Sequence, residues 1–311
     1  MELIRGIHNL RSEHHGCVAT IGKFDGVHLG HVAILKQLGE RAAAMRLPAL
    51  VILFEPHPGE YFQQERAPAR INSLVDKLRL IEAQGVSRVL CLHFNRAMRE
   101  MSAQQFIEQV LVASLGIKHL VVGDDFRFGC AREGDYATLR QAGDALGFSV
   151  EDTHTLEVRG TRVSSTYLRD ALADNDFALV QQLCERPYAI SGRVVRGQAL
   201  ARTLGTPTAN IKIHPYNTAL KGVYAVELTT ADGTTHQGVA NIGKRPTVGG
   251  SRSVLEVHVF NFDRDIYCQR VEVVFRHFIR GEQKFAGLDQ LKQAIENDIA
   301  AAERFFAAAK Q

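Results

Sequence analysis

Apolar positions along this chain change their period near its middle. In the first half they gather in short, nearly continuous runs: CVATI (Cys17 to Ile21), LVILF (Leu50 to Phe54), RVLCL (Arg88 to Leu92) and HLVVG (His119 to Gly123). A strand buried on both faces reads this way, because neither face of its pleat meets water. Between the runs the spacing turns helical, with Ile34, Leu38, Ala42 and Met45, then Leu74, Leu78 and Ile81, then Phe106, Val110 and Ala113. Gly85 and Gly116 stand where two of these patterns stop, as glycines just past a helix do. Strand and helix in alternation predict an α/β domain with a parallel sheet wrapped by helices.

After Glu185-Arg186-Pro187 the period becomes two. YAISGRVV, GVYAVELTT, HQGVANI, SVLEVHVF and RVEVVFRHF alternate apolar and polar residues, with turn-rich pieces such as Ala231-Asp232-Gly233 between them. Short strands at regular spacing predict a small antiparallel β-barrel. A helix with Leu288, Leu291, Ile295 and Ile299 on one face closes the chain. The expected domains are residues 1–186 and 187–311, a division that the length of 311 residues also favours.

Charge and cysteine content narrow the classes. Lys and Arg number 37 against 34 Asp and Glu, too even for a protein that binds nucleic acid through a broad basic surface. Five scattered cysteines with no C-x-x-C pair argue against a disulfide framework or a thiolate zinc site and fit a reducing cytoplasm. No apolar run approaches the length of a membrane span or a signal peptide core.

The segment GKFDGVHLGH, Gly22 to His31, leaves the first strand and enters the first helix, where open α/β sheets bind ligands. A helix N-terminus favours phosphate, Gly22, Gly26 and Gly30 let backbone approach a ligand, and His28 and His31 can face one pocket together. Two imidazoles there could donate to charge developing on an α-phosphate, or could be surface residues beside a glycine turn. The zinc reading is weaker, since no third ligand of suitable spacing follows. FEPHP holds His57 between two prolines. VVGDDFRFG carries Asp124 and Asp125, which could orient a ribose or a water, or cap a helix. RVSSTYLR brackets Ser164, Ser165 and Thr166 with Arg162 and Arg169, a set suited to triphosphate oxygens or to helix capping.

In the second half, GRVVRGQALARTLGTPTAN has the glycines of a phosphate-facing loop (Gly192, Gly197, Gly205), and the chain contains no Walker sequence. Thr208 and Asn210 lie two apart and point the same way on an extended strand, which suits Mg²⁺ carrying nucleotide phosphates or a capped turn. Glu256 and His258 share the polar face of SVLEVHVF. A carboxylate there meets water by default, or serves as a base if a site opens onto that face.

Taken together, G-x-F-D-G-x-H-x-G-H, P-H-P, G-x-x-F-x-F-G and S-S-T-x-x-R resemble the adenylylating module of bacterial bifunctional riboflavin kinase/FAD synthetases, whose H-x-G-H motif is shared with class I aminoacyl-tRNA synthetases. L-G-x-P-T-A-N, G-V-Y, N-I-G-x-x-P-T, L-E-V-H-V-F and IRGEQKF resemble the riboflavin kinase module, so the match runs end to end. The resemblance implies a Rossmann-like nucleotidyltransferase domain followed by a kinase barrel. It implies ATP, riboflavin and FMN as substrates, Mg²⁺ as cofactor, and FMN, FAD, ADP and pyrophosphate as products. His28 and His31 would stabilise the transition state on the α-phosphate. Gly22, Phe24, Asp25, Gly30, His57, Asp125, Arg162, Ser164, Thr166 and Arg169 would line that nucleotide site. In the kinase half, Gly192, Gly197 and Asn241 would join the substrate site and Thr208 and Asn210 would bind Mg²⁺-ATP. Glu256 would be the general base, and Arg280 would lie in a loop over the flavin. Some family members carry Asn at position 125, and Gly is frequent at 201 and 268, where this chain has Asp, Ala and Cys. Two rival classes are a tRNA synthetase-like ligase, which would need a tRNA-binding region, and a non-enzymatic flavin or nucleotide binder, which would need neither Glu256 nor the paired histidines.

Overall fold

A computed structural model describes residues 1–153, 155–197, 206–213, 218–247 and 250–309; the side chains of Glu65 and residues 244–252 lie outside that description. The chain forms two compact units: Met1–Pro68 with Lys77–Ser164, and Ala69–Asp76 with Ser165–Gln311.

In the first unit, six parallel strands lie in the order β1-β4-β3-β2-β5-β6. They are β1 (Glu2–Arg5), β2 (Val18–Ile21), β3 (Ala49–Glu55), β4 (Arg88–His93), β5 (His119–Gly123) and β6 (Ser149–Thr153). The continuous apolar runs are central strands: every residue of β2 is buried, and so are the first five of β3. Helix α1 (Leu29–Met45) buries Leu35, Leu38 and Ala42. The expected face shared Leu38 and Ala42 but named Ile34 in place of Leu35 and added Met45; Met45, the last helical residue, is 41% exposed. A shift of one residue at the start moves Leu35 inward, since 35, 38 and 42 also repeat at helical spacing. The segment expected as an ordinary helix around Val110 is a π-helix over Phe106–Ser114. Its wider turn aims Phe106, Ile107, Val110 and Leu111 together at the core.

A short antiparallel pair, β7 (Glu157–Val158) and β8 (Thr161–Arg162), follows β6 in the first unit. In the second unit, six antiparallel strands close a barrel in the order β10-β13-β12-β11-β14-β9. They are β9 (Ala189–Val195), β10 (Ala209–Lys212), β11 (Gly222–Thr229), β12 (Thr235–Thr247), β13 (Gly250–Val259) and β14 (Arg270–Arg280). Leu255 and Val257 are fully buried, as the alternation in SVLEVHVF requires. Tyr224 of the G-V-Y sequence is also fully buried, edge-on to Phe177, Phe275 and Phe278. Burial pushes its phenol up to about 12. The terminal helix (Leu288–Ala308) buries Ala302 and Phe306 against Val223, Ala225 and Val239.

Candidate active sites

The parallel sheet reverses its order between β2 and β5. From β2 the chain steps outward through β3 in one direction and later through β5 in the other. Ligands of open α/β sheets bind beyond the strand C-termini at such a switch. The loop after β2 is GKFDGVH and the loop after β5 is DDFRFG, so two of the singled-out sequences meet that position.

The first of these loops is strained. Phe24 has φ 47°, Gly26 φ 89° and Val27 φ 39°. A left-handed conformation is costly for a β-branched valine and is held only by its surroundings. Those surroundings include Lys77, 2% exposed, whose Nζ donates to the Lys23 carbonyl at 2.7 Å. Phe24 and Asp25 are buried at 1% and 2%, so they build the loop from beneath. His28 is the N-cap residue of α1, and its ring stacks on that of His31 with centroids 3.8 Å apart; Phe24 supports His31 at 5.0 Å. Gly30 makes room for this pair, since a Cβ there would touch the His28 ring at 3.3 Å; one at Gly22 would strike the Phe24 ring at 2.7 Å.

His57 is buried and caps the helix Pro58–Gln63, its N–H donating to Glu60 Oε2 at 3.0 Å. Arg162 lies within 2.9 Å of Asp124 and 3.2 Å of Asp125, so the Asp125 charge is matched by a guanidinium. Ser164 ends the first unit, whereas Thr166 and Arg169 lie on the helix Ser165–Ala173 of the second. Arg169 donates to the carbonyls of Ala69 and Ser165 at 2.7 and 3.1 Å.

Sequence reasoning missed an aromatic group in the first unit. Phe54 is the last residue but one of β3, Tyr61 and Phe62 follow on the next helix, and Phe94 follows β4. Their centroids are 5.4–6.0 Å apart, and Phe62 is 58% exposed with the Arg99 guanidinium 5.7 Å above its ring. The residues come from three segments, so no local motif announces them.

In the barrel, register assembles the candidates. Asn210 on β10 pairs with Glu256 on β13, Glu256 pairs with Asn241 on β12, Asn241 with Val223 on β11, and Val223 with Arg280 on β14. Directly opposed residues share a face. One row therefore carries Asn210, Glu256, Asn241 and Arg280 across five strands. Two cavities open beside it. One, about 320 Å³, is lined by Thr208, Asn241, Glu256, Arg280, Leu291 and Ile295 among others. The other, about 280 Å³, is lined by Gly197, Thr208, Asn210, Asp263 and Tyr267 among others. Thr208 borders both.

Gly197 packs against the Asn210 carboxamide so closely that a Cβ there would lie 2.5 Å from its Cγ and Oδ1. Gly192 has a different duty: it lies within β9, where a Cβ would meet the Lys212 carbonyl and come 2.6 Å from Ile211 Cγ2. Ala201 and Gly205 lie outside the described residues. Arg280 ends β14 rather than sitting in a following loop, and its Nε and Nη2 pair with both oxygens of buried Asp298 at 2.8 and 2.7 Å. The terminal helix is thereby fastened beside the cavity that its Leu291 and Ile295 line. Asp298 was not foreseen, since a lone acid on an amphipathic helix gives no signal of its partner.

Among the described residues, Glu2, Glu13 and His14 are the one cluster close enough to share a cation. There the Arg11 N–H donates to His14 Nδ1 at 2.9 Å, which places the ring proton on Nε2, 3.0 Å from Glu2. A protonated nitrogen does not ligate, so the cluster is a hydrogen-bonded tie.

Family models match the chain twice: FAD synthetase over residues 10–167 and riboflavin kinase over residues 184–306. A bifunctional riboflavin kinase/FMN adenylyltransferase from Pseudomonas fluorescens is 52% identical, covering 97% of each chain. The enzyme of that description from Escherichia coli K12 is 49% identical over 100% of this chain and 99% of its own. A solved structure described as a macrolide-efflux protein from Streptococcus pneumoniae, 26% identical, superposes with a TM-score of 0.78 over 96% of this chain and 97% of its own. No described helix here is long and apolar enough to cross a membrane.

Proposed function

We propose two active sites for this chain, which belongs to the family of bifunctional riboflavin kinase/FMN adenylyltransferases: an FMN adenylyltransferase in residues 1–186 and a riboflavin kinase in residues 187–311. The observation that carries the kinase assignment is the register row, which sets the acid Glu256 between the amides Asn210 and Asn241, with Glu256 and Asn241 lining one cavity and Asn210 the other.

Riboflavin occupies the cavity walled by Leu291, Ile295 and Arg280, and ATP the one beside Gly197 and Asp263. They meet at Thr208. Glu256 accepts the proton of the ribityl 5′-hydroxyl as its oxygen attacks the γ-phosphate, giving FMN and ADP. Thr208 and Asn210 offer hard oxygen donors two residues apart on one face, and Gly197, having no side chain, lets the Asn210 carboxamide lie close against its backbone, which fits Mg²⁺. Bound there, Mg²⁺ would neutralise charge on the phosphate oxygens. Asn241 hydrogen-bonds the substrate beside Glu256.

In the first half, the FMN phosphate attacks the α-phosphate of a second ATP and pyrophosphate leaves. His28 and His31 donate to the charge that builds on the α-phosphate, and the first turn of α1 adds its dipole. Arg162 and Ser164 hold the departing phosphates, His57 orders the loop after β3, and Asp125 accepts from ribose hydroxyls. The aromatic group of Phe54, Tyr61, Phe62 and Phe94 offers stacking faces to the isoalloxazine ring. A need for ATP and the buried thiols support a cytoplasmic location; burial pushes Cys17 up to about 12 and Cys184 up to about 11.

Purified protein given riboflavin, ATP and Mg²⁺ will yield FMN and then FAD, with pyrophosphate only in the second step. Glu256→Gln will slow FMN formation by about 10²- to 10⁴-fold, the worth of a positioned base, while supplied FMN is still adenylylated. Chromatography that finds neither product with oxidised or reduced flavin refutes the assignment.

A further inference from the structure

The ladder between β10 and β13 stops at the pair Ala209 and Val257. One residue further stands Thr208, and before it Pro207, which has no N–H to continue the pairing. The Pro207 carbonyl accepts a hydrogen bond from a side chain instead: His258 Nδ1 lies 2.9 Å away. A carbonyl can only accept, so Nδ1 carries the proton and the ring orientation is fixed. Phe260, two residues on and on the same face, buttresses the imidazole with centroids 6.0 Å apart. Thr208 is thus held from both directions, through the ladder at Ala209 and through His258 at Pro207. It is also the residue that borders both cavities.

We propose that His258 is a positioning residue for phosphoryl transfer: its Nδ1–H holds the Pro207 carbonyl and so sets the Thr208 hydroxyl between the nucleotide and flavin cavities. This rests on Thr208 being a nucleotide-metal ligand. His258 moves no proton in this role. Its neighbour two residues back, Glu256, keeps that task, and the alternation of β13 puts both on one face.

Side chains of different reach give the test. In the full chain, the amide nitrogen of His258→Asn stands where Nδ1 does, and that of His258→Gln stands where Nε2 does. Phosphorylation of riboflavin is measured against MgATP concentration, with flavin fluorescence quenching for riboflavin binding and FMN-to-FAD conversion as a fold control. His258→Ala and His258→Gln will lower kcat/KM for MgATP roughly tenfold, the scale of one lost hydrogen bond. His258→Asn will stay within about threefold of the parent, a smaller loss than that bond carries. Adenylylation will hold in all three; His258 also lines the flavin cavity, so riboflavin affinity is read separately from the MgATP effect. Recovery by Gln but not Asn, equal loss in all three, or parental efficiency in Ala overturns the proposal. Thr208→Ala separates the two layers: if it is impaired while the His258 variants are not, the positioning role alone falls; if it matches the parent, the ligand reading falls.

Discussion

Gly197→Ala tests the proposed nucleotide side of the kinase site by one methyl group. Gly197 follows β9, and no positive φ is recorded for it, so alanine fits its backbone. What the methyl meets is the Asn210 carboxamide, with Cγ and Oδ1 each at 2.5 Å. Ordinary contact between such atoms is about 3.5 Å, so the amide must retreat by about 1 Å. Asn210 is short and its amide can turn, which spares the barrel but moves the oxygen proposed to face the phosphates. A misplacement of that size costs on the order of 10²-fold in a reaction that depends on positioning. The expected result is a loss of about 10²-fold in kcat/KM for MgATP in FMN synthesis. FAD synthesis from supplied FMN and the melting temperature should stay near the parent. Gly39→Ala, with nothing within 4 Å of the new methyl, serves as the control. A Gly197→Ala enzyme with kinase efficiency within about twofold of the parent, far inside the 10²-fold scale, would show that the Asn210 amide has no fixed place in the reaction.

Replacing His28 or His31 by Ala should cut FAD formation by about 10²-fold or more while FMN formation continues; equal loss of both in a product assay would indicate a structural role for the stacked pair. Acid stability should report His119. Desolvation holds its pKa below 6.5, against the pull of Glu151 3.3 Å away. The unfolded chain then binds more protons between the folded value and 6.5, so stability is complete above pH 6.5, declines as pH falls below it, and levels once the folded value is passed. Hydrogen bonds from Arg41 bring Glu151 down to about 2, so it stays ionised through this window. Melts from pH 7.5 to 5 should show a steeper decline in the parent than in His119→Gln, and parallel curves would refute the attribution.

The fold classes were legible because each half obeys one period over many residues. Four buried strands could be read as continuous apolar runs, and five barrel strands as alternation. Helix faces were less legible: 34 and 35 are both apolar, and periodicity alone cannot choose between them. The motifs gave the residue types of both sites, but not what joins them. Asn210, Glu256 and Asn241 are far apart in sequence and become neighbours through strand register, which depends on pairing across the barrel. The partner of Arg280 is an acid eighteen residues on, in another element. The aromatic group after β3 and β4 escaped notice for the same reason, since it has no spacing to detect. The compact units divide elsewhere than the change of period at Pro187: Ala69–Asp76 and the residues from Ser165 to Arg186 belong to the unit that contains the barrel.

Those displaced segments change what a truncated kinase should do. A fragment from Pro187 onward contains the full barrel and both cavities, so it should still make FMN in the cold. It lacks three supports. Tyr188, 7% exposed, donates from its hydroxyl to the Ile71 carbonyl at 2.9 Å. Asp76 accepts from Ser191 Oγ and lies 3.2 Å from Arg270 Nη2. Tyr224, fully buried, donates to Asn175 Oδ1 at 2.8 Å and meets the Phe177 ring edge-on at 6.0 Å. Each neutral hydrogen bond is worth about 1 kcal/mol, and the part-buried Asp76 pair about 2 kcal/mol. The aromatic contact adds about 1 kcal/mol. A total loss of about 4–5 kcal/mol lowers Tm by roughly 15 °C in a domain of this size. A fragment from Ser165 onward regains Asn175 and Phe177 but not Ile71 or Asp76, so it should melt between the two. Asp76→Asn in the full chain should reproduce part of the loss without any truncation, because the amide keeps the shape but not the charge that Arg270 faces. Calorimetry on these four proteins orders the contributions. If both fragments melt with the barrel transition of the intact chain, Ala69–Asp76 carries no load, and the kinase unit begins at Pro187 in energy as well as in sequence.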